Sequence, residues 1–185
     1  MTNRKQLGIP YHTQHNNDQD HDSGPWNECS YTAYAMCGSH LGIKGNGHGQ
    51  LEDQFEKSFE AMGLTRGAPE HMSFWFNKKY NSYGFQSKFT YTGSWADIVK
   101  AIDNGNPLVI HTDLTRSGHV IACDGYDLDA YYGDGAIIAQ DPWGEWFSSG
   151  YNTNITGHDV KYSRALCNAK MGPDGNYWLH EFSRI

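Results

Sequence analysis

The sequence predicts a single α+β domain over residues 1–185, with N-terminal helices packed on a C-terminal, mainly antiparallel sheet. Three observations predict it. Apolar residues recur at helical spacing as far as Ile102, and after Pro107 they gather into short runs separated by Gly, Asp and Asn. Helices first and strands second is the order of a segregated α+β domain. The length, 185 residues, suffices for one well-buried core, and no repeat or low-complexity tract divides it.

Residues 1–28 read as irregular and polar, ending in Ser23-Gly24-Pro25-Trp26. A first amphipathic helix is expected over residues 30–40, with Ala33, Met36, Cys37 and Leu41 on one face and Gly42 as its stop. Residues 50–62 repeat the pattern: Leu51, Phe55, Phe59 and Met62 are spaced four, four and three apart, and Gly63 follows. A third helix is expected over residues 70–80, carrying Met72, Trp75, Phe76 and Tyr80. Ser94-Trp95-Ala96-Asp97 has the form of a capping box with Asp in place of Glu. It should start a fourth helix holding Ile98, Val99 and Ile102, which Asn104-Gly105-Asn106-Pro107 ends. Strands are then expected at residues 108–111, 119–123, 136–140, 160–162 and 178–182. Gly125-Tyr126-Asp127 reads as a turn, which makes residues 118–127 a hairpin.

Lys plus Arg minus Asp plus Glu is 14 − 21 = −7, so nothing draws the chain to nucleic acid or anionic lipid. No stretch approaches the roughly 20 apolar residues of a membrane span. The opening Thr2-Asn3-Arg4-Lys5-Gln6-Leu7-Gly8 lacks a signal-peptide core. The expectation is a monomer made in the cytoplasm, with no membrane insertion. With 12 Tyr, 8 Phe, 6 Trp and 21 Gly, the composition suits a loop-rich fold whose clefts are lined by aromatic rings, as extended peptides or glycans require. Trp26, Trp75, Trp95, Trp143 and Trp146 are the rings expected there. The four cysteines form no CxxC pair, and Cys37 and Cys123 read as buried core residues.

Cys29 is different, because it follows a polar loop and opens the first helix. A helix N-terminus favours a thiolate, and a nearby His completes an activated nucleophile. His119 stands at the mouth of the apolar run Val120-Ile121-Ala122-Cys123, after the flexible Ser117-Gly118. His111, beside another apolar strand, is the rival base. Asp141 closes Ala136-Ile137-Ile138-Ala139-Gln140 and precedes Pro142, which should pin the strand exit and project the carboxylate outward. An Asp-Pro turn alone would mean little, but Cys, His and Asp in this order can form a nucleophilic triad in which the Asp fixes the imidazole tautomer. Acyl transfer also needs donors for the oxyanion. The Cys29 backbone N–H is one; Gln14 is the side-chain candidate, with Gln19 as its alternative.

Asp18, Asp20 and Asp22 alternate in the segment before the nucleophile, like the first half of a calcium loop. The closing Gly is one place late and Cys29 occupies the twelfth position. The alternative is a solvated acidic loop. His12, His15 and His21 match no closed zinc spacing. The chemistry expected of the triad needs no cofactor, and calcium would be structural.

Ile9-Pro10-Tyr11 with Gln14, a Cys opening a helix, Gly118-His119-Val120 with Gly125-Tyr126-Asp127, and Asp141-Pro142-Trp143-Gly144-Glu145 together resemble the papain-like cysteine peptidases related to the bacteriocin-leader (double-glycine) peptidases. Gly150-Tyr151, Gly157, Val160-Lys161-Tyr162-Ser163 and Trp178 are similar to the tail of a subgroup found in phage and bacterial cell-wall hydrolases. The resemblance implies a papain-like fold, a triad of Cys29, His119 and Asp141, and Gln14 as oxyanion donor. Members usually follow the Cys with Gly or Asn and then Pro; here Ser30 and Tyr31 follow, with Ser30 in position to cap the helix. The implied activity is endolysin-like cleavage of peptidoglycan peptides, at the wall, after release by a holin-type partner. The alternatives are a peptidase of protein or leader-peptide substrates and a catalytically silent binding module of the same fold.

Overall fold

The computed structural model describes residues 3–18, 24–172 and 174–185. Its helices are α1 (Cys29–Leu41), α2 (Leu51–Glu60), α3 (Pro69–Tyr80), α4 (Trp95–Asp103) and α5 (Arg164–Lys170). Its strands are β1 (Arg4–Gln6), β2 (Phe85–Gly93), β3 (Leu108–Thr112), β4 (His119–Asp127), β5 (Ala136–Gln140), β6 (Glu145–Phe147), β7 (Gly150–Asn152), β8 (Val160–Ser163) and β9 (Tyr177–Arg184). The main sheet runs β2-β9-β3-β4-β5-β8 with β1 on β4, and every pairing is antiparallel. The α+β expectation holds.

Both faces of this sheet are covered. Val120 and Ala122 of β4 join the core beneath α1, α2 and α3. Ile121 and Cys123, one residue out of phase, join the core beneath α4 and α5. A strand buried on both sides reads as a continuous apolar run, which is why β3, β4 and β5 were visible in the sequence. Against α1 stand Trp75, Phe55, Phe59, Phe76 and Phe182, meeting edge-on with Tyr34 and Tyr31 at its centre.

The helices begin and end largely where their signals stand. Gly42 takes a left-handed φ of 99° and closes α1, a conformation that needs glycine. The Ser94–Asp97 capping box forms in both directions. Several expectations need correction. Helix α1 is buried on all sides, with Tyr31, Thr32, Tyr34, Ala35 and Gly38 inside as well as the expected face, because it is wedged between the sheet and α2. Met62 lies beyond α2 and is exposed. The turn expected at Gly125 does not exist: β4 is one nine-residue strand with a register shift between Cys123 and Gly125. A Cβ at Gly125 would stand 2.3 Å from the Lys5 carbonyl, so glycine is there to admit β1, not to turn the chain.

The register shift brackets Asp124, whose fully buried carboxylate takes hydrogen bonds from Ile9 N at 2.7 Å, Gln6 Nε2 at 2.8 Å and Gln140 Nε2 at 3.1 Å. That clasp fixes the N-terminal segment on its way to Gln14. Among the described residues no helix is long and apolar enough to cross a membrane.

Candidate active site

Helix α1 begins at Cys29, and the preceding Glu28 makes no side-chain cap. The first-turn N–H groups and the positive end of the helix therefore stand uncapped at the residue that bears the sulfur. Ser30 is inside the helix and does not cap it. Across from the sulfur, His119 opens β4 and is 5% exposed. Its Nε2 lies 2.8 Å from Asp141 Oδ1, and the ring also interacts with Cys29. With Nε2 engaged by the carboxylate, Nδ1 is the nitrogen left for the thiol. Burial alone would lower the His119 pKa, but the Asp141 charge, its hydrogen bond and the contact with Cys29 prevail and raise it to about 10.

Asp141 is not projected outward. It is fully buried, because the residues after Pro142 fold back over it. Oδ1 also accepts from Trp143 N at 3.0 Å, and Oδ2 accepts from Tyr151 Oη at 2.9 Å and Tyr162 Oη at 2.8 Å. A buried carboxylate is costly unless its oxygens have such donors. Burial first, and the carboxylate second, push both phenols far above their ordinary pKa, so they remain donors. Residue chemistry alone does not mark either tyrosine for the site; the tail resemblance includes both. Tyr151 also meets the His119 ring edge-on at 5.3 Å.

The Asp141 backbone is set by Gly157, whose carbonyl accepts Asp141 N at 2.8 Å. A Cβ at position 157 would fall 1.9 Å from the Asp141 carbonyl oxygen and 2.6 Å from that of Gly144. Gly157→Ala should therefore shift the carboxylate, cost about 1–3 kcal/mol of stability as overpacked sites do, and lower kcat. Urea melts alongside turnover check this, and a wild-type melt with normal kcat would refute it.

Gln14 starts a 3-10 turn and is 1% exposed. Its backbone N–H donates to the Pro142 carbonyl at 3.0 Å, and Nε2 donates to the Pro25 carbonyl at 2.5 Å. One amide hydrogen anchors the side chain and the second remains for a ligand in the cleft, which Gln14 lines together with Cys29 and His119. Next to it, His15 stacks on Trp143 at 4.3 Å and Trp26 meets Trp143 at 4.9 Å.

The structure thus brings Cys29, His119 and Gln14 together at one cleft of about 740 Å³, with Asp141 buried behind His119. His111 also lines that cleft, but its Nε2 is 2.9 Å from His180 Nε2 and burial lowers its pKa to about 4. It is tied into a separate buried network with Tyr34 and Ser73, which bond His180 Nδ1 at 2.7 and 2.9 Å. Of the tryptophans expected to line the cleft, Trp26 and Trp143 do so, joined by Trp178. Trp75 is core, and Trp95 and Trp146 pack against the opposite face of the sheet. The three needed to fill apolar space that a sequence does not distinguish from a cleft.

Gln19, Asp20, His21 and Asp22 lie outside the described residues. Asp18 is described: its carboxylate meets Lys57 Nζ at 2.9 Å. Among the described residues no three His, Cys, Asp or Glu side chains form a metal-binding group.

The model of the Peptidase_C39-like family matches residues 6–166, most of the chain, with Cys29, His119, Asp141 and Gln14 included. The chain belongs to the Peptidase_C39-like family. As a member of it, the protein is a cysteine peptidase by family. Its fold is similar to a crystal structure described as a C39-like peptidase from Bacillus anthracis, with a TM-score of 0.65 and 14% identity over 98% of each chain. A second solved structure, UfSP from C. elegans, has a TM-score of 0.48 and 16% identity, covering 98% of this chain and 34% of that one. No curated protein matches the sequence.

Proposed function

We propose that this C39-like protein is a cysteine endopeptidase of bacterial peptidoglycan, with Cys29 as nucleophile, His119 as acid and base, and Asp141 and Gln14 as their supports. The observation that carries the reading is that Cys29, at the start of α1, shares an open cleft with His119, whose ring interacts with it and is held by Asp141 at 2.8 Å. The His119 imidazolium stabilises the sulfur as a thiolate. The sulfur attacks a peptide carbonyl carbon, and the C–S bond forms as the carbonyl π electrons move to oxygen. Gln14 Nε2 and the Cys29 N–H donate to that oxygen. His119 gives its proton to the leaving amine as the C–N bond breaks, leaving a thioester. Water, deprotonated by His119, then releases the acid and the free enzyme.

The wall of the cleft supports the substrate class. Trp26, 72% exposed, and Trp178, 43% exposed, offer rings for sugar or peptide stacking. Asp113, Lys170 and Asp174 add charges of both signs, which suit a branched peptide bearing free amino and carboxyl groups. The protein would act at the wall, reaching it after release by a membrane-permeabilising partner. Purified wall suspensions should lose turbidity when it is added, and unchanged turbidity across walls of several peptide types would remove this substrate.

Gln14→Ala should lower kcat by about 10²–10³ with KM nearly unchanged, the mark of a lost oxyanion donor. Steady-state kinetics decide it, and a near-normal kcat would take Gln14 out of the site.

A further inference from the structure

Behind the nucleophile, α2 turns three carboxylates inward: Glu52, Asp53 and Glu56 are 2%, 6% and 1% exposed. Each has a donor. His12 Nδ1 is 3.0 Å from Glu52, the Asp18 N–H donates to Asp53 Oδ1 at 2.9 Å, and Arg66 meets Glu56 at 2.5 Å. A fourth carboxylate shares the region without such a partner. Glu28, one residue before Cys29, is 1% exposed, and among the described residues neither of its oxygens has a donor in hydrogen-bond geometry. The Asn17 side chain approaches it and stabilises its charge in part, as Arg66 does, while Glu56 and Asp53 press on it electrostatically. Asn17 is itself 3% exposed; its Nδ2 donates to Thr32 Oγ1 at 2.9 Å, and its Oδ1 has no donor.

Two adjacent side chains thus bury three oxygen atoms with nothing to receive. A buried unpaired acceptor costs about 1–3 kcal/mol, and a buried charge more. Among the described residues each neighbouring carboxylate has a hydrogen-bond donor and these atoms have none, so a cation would satisfy all three. We infer that the Glu28 carboxylate, the Asn17 side-chain carbonyl and the Asp53 carboxylate bind a calcium ion. The ligands are all oxygen, one of them a neutral amide, with no sulfur or imidazole; that set suits a hard cation of flexible geometry, with water in its remaining positions. Burial foremost, then Glu56 and Asp53, raise the Glu28 pKa to about 7 against the opposing effects of Asn17 and Arg66. Because Glu28 is the N-cap residue of α1, calcium would fix the backbone that presents Cys29.

The test is calcium chloride titrated calorimetrically into the chelator-treated full chain, with melting curves in chelator and at about 100 times the measured Kd. Calcium should bind at one site and raise Tm by about 5–10 °C. Glu28→Gln should weaken binding at least tenfold and abolish the rise, while melting in chelator no lower than wild type, since it removes a buried charge. Asp53→Asn, which can still accept the Asp18 N–H, should also weaken binding about tenfold. Asp20→Asn should leave Kd unchanged. No heat and an unchanged Tm would overturn the inference. So would wild-type binding in Glu28→Gln, or loss of binding in Asp20→Asn alone.

Discussion

Cys29→Ala should lower peptidase turnover by about 10⁴-fold or more, the scale on which nucleophile removal acts, with Tm close to wild type. Cys29 is partly exposed at the cleft, so the lost sulfur removes little packing. The other three thiols cannot substitute for it. Cys37, Cys123 and Cys167 are fully buried, and burial pushes all three thiols up, Cys123 to about 12. A thiol both inaccessible and protonated does not react. Iodoacetamide near neutral pH should therefore label Cys29 fastest, read by peptide mass mapping of the native protein. Faster labelling at any of the other three would displace Cys29 from the mechanism.

His119→Ala should remove activity as completely, because the members of a triad act as a unit. Asp141→Asn should cost less than the roughly 10⁶ that losing a nucleophile or its base can reach, but still about 10⁴, because an Asn leaves the wrong tautomer. The pH dependence separates positioning from charge. A His whose folded pKa is raised above its ordinary 6.5 contributes stability that is full below about 6.5 and fades as pH rises through the folded value of about 10. Asp141→Asn removes the charge that offsets burial, so the His119 pKa should fall and the alkaline limb of kcat/KM should move to lower pH. The stability difference between wild type and Asp141→Asn should shrink between pH 7.5 and 10. That window avoids Glu28, whose buried carboxyl makes folding less favourable as pH rises from 4.5 to about 7 and constant thereafter. A limb that stays in place in Asp141→Asn would mean that the carboxylate does not hold the imidazole proton. Retained activity in His119→Ala with loss in His111→Ala would move the base to β3.

The parts of this fold legible in the sequence are those with local causes. Gly42 and the Ser94–Asp97 box set helix ends within a few residues of themselves. The apolar runs of β3, β4 and β5 follow from burial on both faces. Cys29 and His119 could be found because each is a reactive residue standing at the end of such an element. The missed pieces have non-local causes. β2, Phe-Gln-Ser-Lys-Phe-Thr-Tyr-Thr-Gly, is an edge strand of mixed burial whose existence depends on pairing with β9, about ninety residues on. β1 is three residues, two of them charged, held by the far end of β4. The β6–β7 hairpin and the seven-residue α5 are too short to show a period. Asp141 was legible as a carboxylate at a strand exit, yet its burial was not, because Tyr151 and Tyr162 reach it from later strands. The orphaned oxygens of Glu28 and Asn17 likewise emerge only once α2 lies across α1.

The most direct test of the central claim, that Cys29 drives hydrolysis of peptidoglycan peptides, is mass analysis of fragments released from purified walls by wild type and by Cys29→Ala. The account predicts wild-type fragments that carry one new free amino group and one new carboxyl group, each cut adding one water to the parent mass, and none from Cys29→Ala. Walls left intact by the wild type, or the same fragments from Cys29→Ala, would contradict it.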